Sequence, residues 1–144
     1  MDFVTAFVSG FPDFIIQLVA AIALFIVALT IYILLTPHKE LALIREGNPS
    51  AALAFSGVVV GLAIPLSACI ANSLGLVELV LWGAVTLLIQ LLAFRLTDMF
   101  LRNLPKRIAS GDVAAAIFLL AVKLGLGIIV AGAVSDPALD ALPW

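Results

Sequence analysis

The sequence predicts an all-α integral membrane protein, with four transmembrane helices built as two parallel two-helix repeats and both termini outside. Three observations carry this. First, 65% of the 144 residues are hydrophobic and 11% are charged, against roughly 45–50% and about 25% in soluble domains. A water-soluble globule of this length exposes too much of its surface to hide so many apolar side chains, and the mean hydropathy of +1.31 agrees. Second, four apolar runs each hold roughly 20 residues or more, enough to cross a hydrocarbon core of about 30 Å. Third, the two halves superpose under a shift of 64 residues. The composition also excludes partners and chemistries. A net charge of −2 gives no basic footprint for nucleic acid, and a single cysteine forms neither an internal disulfide nor a cysteine-rich metal site.

The spans fall at Phe14–Thr36, Ala51–Asn72, Val77–Leu96 and Val113–Val134. Backbone groups in lipid must be satisfied within the segment, and none of the runs alternates as a barrel strand would, so each is helical. Residues 1–13 carry Asp2 and Asp13 and no basic residue, unlike a cleaved signal peptide, which starts positively charged. Phe3, Phe7, Phe11 and Phe14 recur there at helical spacing. That suits an outer interfacial segment, or a first span that begins early. Residues 14–73 then form the first two-span repeat, with an inner loop at 37–50. Residues 77–136 form the second, with an inner loop at 97–112, and 137–144 are an outer tail.

Orientation follows from the basic residues. The first inner loop holds Lys39 and Arg45; the second holds Arg102, Lys106 and Arg107, with Arg95 near the end of the third span. The amino-terminal segment, the connection Ser73–Leu76 and the tail hold none. The positive-inside rule puts both loops in the cytoplasm. Asp2, Asp13, Glu78, Asp136 and Asp140 fall outside, while Glu40, Glu46, Asp98 and Asp112 sit among the inner basic residues. Trp82 and Trp144 fall near the outer interface and Tyr32 near the inner one, where amphipathic rings settle.

The repeat places Ile44 on Ile108, Gly47 on Gly111, Asn48 on Asp112, Gly61 on Gly125 and Asn72 on Asp136. Each half crosses twice and returns to the same side, so the repeats are parallel and their axis runs along the membrane normal. The matched Gly-Asn and Gly-Asp pairs have a physical meaning. The glycine ends a cytoplasmic segment, and Asn48 or Asp112 caps the span that follows. Pro49 suits the first helical position, where its missing N–H is not needed. A short helix is expected over Pro37–Glu46, with a counterpart near Leu101–Ser110.

Three groups of residues are candidates for more than span formation. Gly57 and Gly61 form a GxxxG pair, and Gly125 and Gly132 sit among the small residues of the fourth span, which suggests that spans two and four are the inner pair. Pro65 frees the Gly61 carbonyl near mid-membrane, either as a shape-only kink or toward a hydrated cavity. Lys123 lies near the middle of span four, where a charge costs about 2.5–3.5 kcal/mol on insertion scales and so must face protein or water. With Gln90, Gly61, Pro65, Ser56 and Ser67 it forms a candidate mid-membrane polar site. Among these, Gln90 and the Gly61 carbonyl lie at its depth, and no acid does. The third group, His38, Lys39, Glu40, Arg45, Arg102, Lys106 and Arg107, is a candidate cytoplasmic contact or anionic-lipid surface. His38 with Glu40 falls short of the three or four ligands zinc takes. No nucleophile–base pair, HExxH, P-loop or GxGxxG occurs, so no enzyme activity, cofactor or metal is expected.

The stretch TPHKELALIREGNPSAALAFSGVVVGLAIPLS resembles domain-of-unknown-function family 350, the YjfL-like bacterial inner-membrane proteins. The matching features are Thr36-Pro37-His38 with Glu40, Asn48, Ala51-Ala52, Phe55-Ser56-Gly57, Gly61, Ile64-Pro65-Leu66 and, more weakly, Gln90. The resemblance implies a small multi-pass inner-membrane protein of two-span repeats with periplasmic termini. Its association with phage-shock-type and ATP-grasp genes implies envelope maintenance. Lys123 is not part of that pattern. The reading that results is a homo-oligomeric membrane scaffold that meets the lipid bilayer, its own copies and a cytoplasmic envelope-stress partner. The alternative is an oligomeric ion channel or small-solute transporter lined by the mid-membrane polar site.

Overall fold

The computed structural model describes residues 2–36, 39–72, 75–136 and 138. Pro37, His38, Ser73, Asp140 and Trp144, to each of which the sequence gives a place, lie outside the described residues. The elements in order are α1 (Phe3–Leu35), α2 (Glu40–Arg45), α3 (Pro49–Ala71), α4 (Leu76–Leu101), α5 (Leu104–Ala109) and α6 (Val113–Val134). No strand occurs among the described residues. α1, α3, α4 and α6 are each long and apolar enough to cross a membrane.

Two spans are longer than their apolar runs. α1 has 33 residues and passes through Pro12 without a break, so residues 3–13 belong to the same helix as the first apolar run. Pro12 removes the bond to the Val8 carbonyl, and the helix continues past it. α4 has 26 residues and takes in Arg95 and Asp98, because charge ends a hydrophobic run but not a helix. It stops where Arg102 and Asn103 both turn to positive φ, 47° and 55°. That strained turn is held by Asp98, whose carboxylate accepts from the Leu104 N–H at 2.7 Å.

The short helices α2 and α5 end in the same hydrogen-bonded turn. Gly47 and Gly111 have φ of +84° and +89°, a region that suits glycine because it has no Cβ. The Gly47 N–H donates to Ile44 O and the Asn48 N–H to Leu43 O, both at 2.9 Å. The Gly111 N–H donates to Ile108 O at 3.1 Å and the Asp112 N–H to Arg107 O at 2.9 Å. This is a Schellman closure. The residue that completes it also caps the next span: Asn48 accepts from the Ala51 N–H and Asp112 from the Ala115 N–H, each at 3.1 Å. Asn48 further donates to the Ile108 and Ala109 carbonyls at the end of α5, both at 3.1 Å.

α3 and α6 are the closest pair; α4 lies against both, and α1 leans on α3 and α4. Contacts between α3 and α6 advance together along both helices, from Gly57 with Leu120, through Gly61 with Gly127, to Asn72 with Ser135, so the two run parallel. Lipid supplies no hydrophobic drive for this association, so close packing and polar bonds must. A methyl on Gly127 would stand 2.7 Å from the Gly61 carbonyl oxygen, and one on Gly57 would stand 3.1 Å from the Leu120 Cα. Gly125 and Gly132 meet nothing within 4 Å and face out of the bundle. On the other flank, Leu24 of α1 packs into the space left by Gly83 of α4. Ala51, Ala54, Phe94, Leu104, Ile108, Ala115 and Leu119 fill the core at the α2/α5 end; Ala21, Leu66, Cys69, Leu79, Val130 and Val134 fill the opposite end.

Two measurements test this packing. Gly127→Ala will lower thermal stability in detergent by about 1–3 kcal/mol through overpacking against backbone. Gly125→Ala, two residues away, will be neutral or slightly stabilising, since alanine is the better helix former; equal losses would contradict the packing described. The second concerns Asp112, whose carboxyl is held below the usual range by the Ala115 N–H first and by Arg107 next. A depressed carboxyl stabilises the fold above its unfolded pKa of about 3.9 and loses that contribution as pH falls through the folded value. Asp112→Asn keeps the cap but not the charge. Its melting temperature will trail the parent at neutral pH, and the gap will close as the buffer is acidified through that range.

Candidate functional site

Lys123 lies near the middle of α6, and its side chain decides the interior. A helical lysine points toward the amino-terminal end of its helix, here the end that carries α2 and α5. The ammonium is therefore displaced from its Cα by about one helical turn, roughly 5.4 Å. It donates to the Tyr32 hydroxyl at 2.6 Å and to the Ala54 carbonyl at 3.2 Å. It also lies 4.6 Å from the centroid of the Tyr32 ring, within cation–π range. Lys123 and Tyr32 are both 0% exposed.

An acid completes the cluster. Glu40, the first residue of α2, is turned into the bundle and 2% exposed. Its carboxylate acts electrostatically on both Tyr32 and Lys123. Depth counted along the sequence placed no acid near Lys123. The structure brings one there because the lysine reaches back toward α2 while α2 folds its first residue inward. Glu40 thus leaves the surface group of the first inner loop, where Lys39 and Arg45 remain exposed.

The other members of the expected polar site divide. Gln90 and Gly61 do meet Lys123, but at its backbone. The Gln90 amide donates to the Lys123 carbonyl at 3.1 Å, and a methyl on Gly61 would collide with that amide nitrogen at 2.5 Å. The Gln90 side-chain oxygen is buried and has no hydrogen-bond partner among the described residues. Pro65 is buried in α3, and the Gly61 carbonyl it frees lies against Gly127, not against a hydrated cavity. Ser56 and Ser67 stand apart. Both are exposed on the outer side of α3, donating at 2.7 Å to carbonyls of their own helix, Ala52 and Ile64.

At the α2/α5 end, Lys39, Arg45, Arg102 and Lys106 are exposed, whereas Arg107 is tied down. It bonds the Asp112 carboxylate at 2.7 Å and the Leu101 carbonyl at 3.0 Å. Among the described residues no three of His, Cys, Asp and Glu gather closely enough to hold a metal. Cys69 is buried in the apolar core of the opposite end.

Sequence reasoning missed Tyr32 and Ala54 as partners of Lys123. A signal was present: Tyr32 and Glu40 flank the end of the first span, one helical turn from where a lysine on span four can reach. If the cluster ties α1 to α6, Tyr32→Phe and Lys123→Met will not be additive. A double-mutant cycle by detergent unfolding will give a coupling of about 0.5–3 kcal/mol, and strict additivity would dismiss the contact.

The comparisons with known proteins agree on one group. A family model described as Domain of Unknown Function (DUF350) matches residues 6–134. The chain is 37% identical over 107 residues to the UPF0719 inner membrane protein YjfL of Escherichia coli strain K12, covering 74% of this chain and 81% of that one. The protein of the same name in Escherichia coli O157:H7 matches equally. No solved structure matches the chain.

Proposed function

From the premise that this chain belongs to the DUF350 family of membrane proteins, we propose that it is a homo-oligomeric scaffold of the bacterial inner membrane that serves envelope maintenance. A multi-pass inner-membrane location fits the name of its relative and the four apolar helices. The observation that carries the scaffold reading is the enclosure of Lys123 within one chain. Its ammonium is spent on Tyr32 and Ala54, with Glu40 in electrostatic reach, so it holds helices together and lines no lumen.

The rest of the proposal concerns assembly. The two hairpins act as parallel repeats, which the identical turns at Gly47 and Gly111 and the equivalent caps at Asn48 and Asp112 support. Both termini lie outside, because the exposed Lys39, Arg45, Arg102 and Lys106 share one end of the bundle. That basic end meets anionic lipid or a cytoplasmic envelope-stress partner. Self-association uses outward small residues, Gly125 and Gly132, where a second copy can approach closely. The protein acts by recruitment, without catalysis and without a cofactor.

One observation favours the alternative of an oligomeric channel or small-solute transporter: the unpartnered Gln90 oxygen in mid-membrane. The two readings separate in a single preparation. The purified protein will run as a defined oligomer by native mass spectrometry, and proteoliposomes holding it will show no ion flux above empty vesicles. Lys123→Met will loosen the fold without creating or abolishing flux. A flux that Gln90→Leu or Lys123→Met alters would overturn the scaffold reading, and a strict monomer would remove its assembly step.

A further inference from the structure

Among the described residues, the amino-terminal part of α1 has no buried contact with the bundle. No residue of α1 before Ala21 is buried, and Phe3–Ile16 are all exposed. At 1.5 Å per residue α1 is about 50 Å long, against a hydrocarbon core of about 30 Å. The exposed run Phe3–Ile16 accounts for roughly 20 Å of that length.

This overhang has two faces. Phe3, Phe7, Phe11 and Phe14 follow one another at three- and four-residue spacing, with Val4 and Val8 beside them. The rings of Phe7 and Phe11 are 5.4 Å apart, and those of Phe11 and Phe14 are 6.4 Å apart. Gly10 leaves an apolar groove of about 350 Å³ between Phe7, Phe11 and Phe14. Asp2, Thr5, Ser9 and Asp13 occupy the opposite face. A helix split in this way lies at a boundary between water and an apolar medium.

Three further observations bear on that medium and on how the helix meets it. The aromatic line continues at the same spacing into Leu18 and Ile22, which line an open, wholly apolar groove of about 180 Å³ against Ala63 and Leu66 of α3. Within the membrane that groove faces acyl chains, so the line above it belongs to the same solvent. Pro12 lies on the other side of the helix, in line with Thr5, Ser9 and Ile16. Its ring crowds the Val8 carbonyl and opens that side, so a bend there turns the helix toward the phenylalanines. The acidic polar face carries no basic residue, which leaves nothing to attract anionic headgroups.

We propose that residues 3–14 form an interfacial anchor that bends at Pro12 and seats Phe3, Phe7, Phe11 and Phe14 among the acyl chains of the adjacent leaflet. Asp2, Thr5, Ser9 and Asp13 then face water, and recognition is of the apolar boundary and not of lipid charge. This stands independently of the scaffold reading.

The test uses the full chain in phosphatidylcholine vesicles, with single nitroxide labels at Thr5→Cys, Phe7→Cys, Ser9→Cys or Phe11→Cys. The native Cys69 is fully buried and stays unlabelled. Collision with oxygen will exceed collision with a water-soluble nickel chelate at Phe7 and Phe11, and the order will reverse at Thr5 and Ser9. Added phosphatidylglycerol will leave the pattern unchanged. Pro12→Ala will reduce the oxygen preference at Phe7. Three results would overturn the proposal. Nickel access at all four positions would show a segment projecting into water. Spectral broadening at Phe7 and Phe11 that disappears on dilution with unlabelled protein would show a second copy on that face. Low access to both reagents without broadening would show that the chain's own bundle covers it.

Discussion

A lysine ammonium in the interior of a membrane bundle is the constraint around which the rest is arranged. It is too costly to leave facing acyl chains, and the chain meets the cost with geometry. The side chain runs toward the α2/α5 end of the bundle, finds a phenol and a helix carbonyl, and comes within reach of a carboxylate on a separate short helix. Four elements are committed by that single group: α6 supplies it, α1 and α3 bond it, and α2 brings in Glu40. α1 otherwise leans on α3 and α4, and the Lys123–Tyr32 bond ties it to α6 as well.

The glycines let this interior close. Gly57 and Gly61 of α3 and Gly127 of α6 let two backbones meet where lipid offers no hydrophobic drive. The same approach gives the Gln90 amide its route to the Lys123 carbonyl and covers the carbonyl that Pro65 releases. The proline, the glutamine and the lysine are thus parts of one packing solution. Polar groups that would read separately as a pore lining are turned upon one another.

The two ends of the bundle differ in kind. One is built from hydrogen-bonded turns: Schellman closures at Gly47 and Gly111, caps at Asn48 and Asp112, and the Arg107–Asp112 pair. It carries the exposed Lys39, Arg45, Arg102 and Lys106. The other is an apolar core of Leu66, Cys69, Leu79, Val130 and Val134, beyond which α1 continues alone. The bundle thus has one polar, hydrogen-bonded end and one apolar, aromatic end.

The sequence by itself determined the four helices, the family and the capping chemistry. Each depends on short-range properties: apolar length for the spans, positive φ for Gly47 and Gly111, and a side-chain oxygen ahead of a helix for Asn48 and Asp112. It also marked Lys123 as the residue to explain. Only the tertiary structure decided what answers it. Tyr32 is 91 positions away in the chain and Ala54 is 69, and depth counted by Cα position hides the direction in which a long side chain leans. The same limit misassigned Glu40, which reads as a surface acid until α2 folds back, and grouped Ser56 and Ser67 with a site they do not face. Which side of a uniformly apolar helix turns inward is not written in its periodicity, because almost every residue is acceptable to lipid. Backbone-to-backbone fit settles it, as between Gly61, where a methyl would collide, and Gly125, where there is open space.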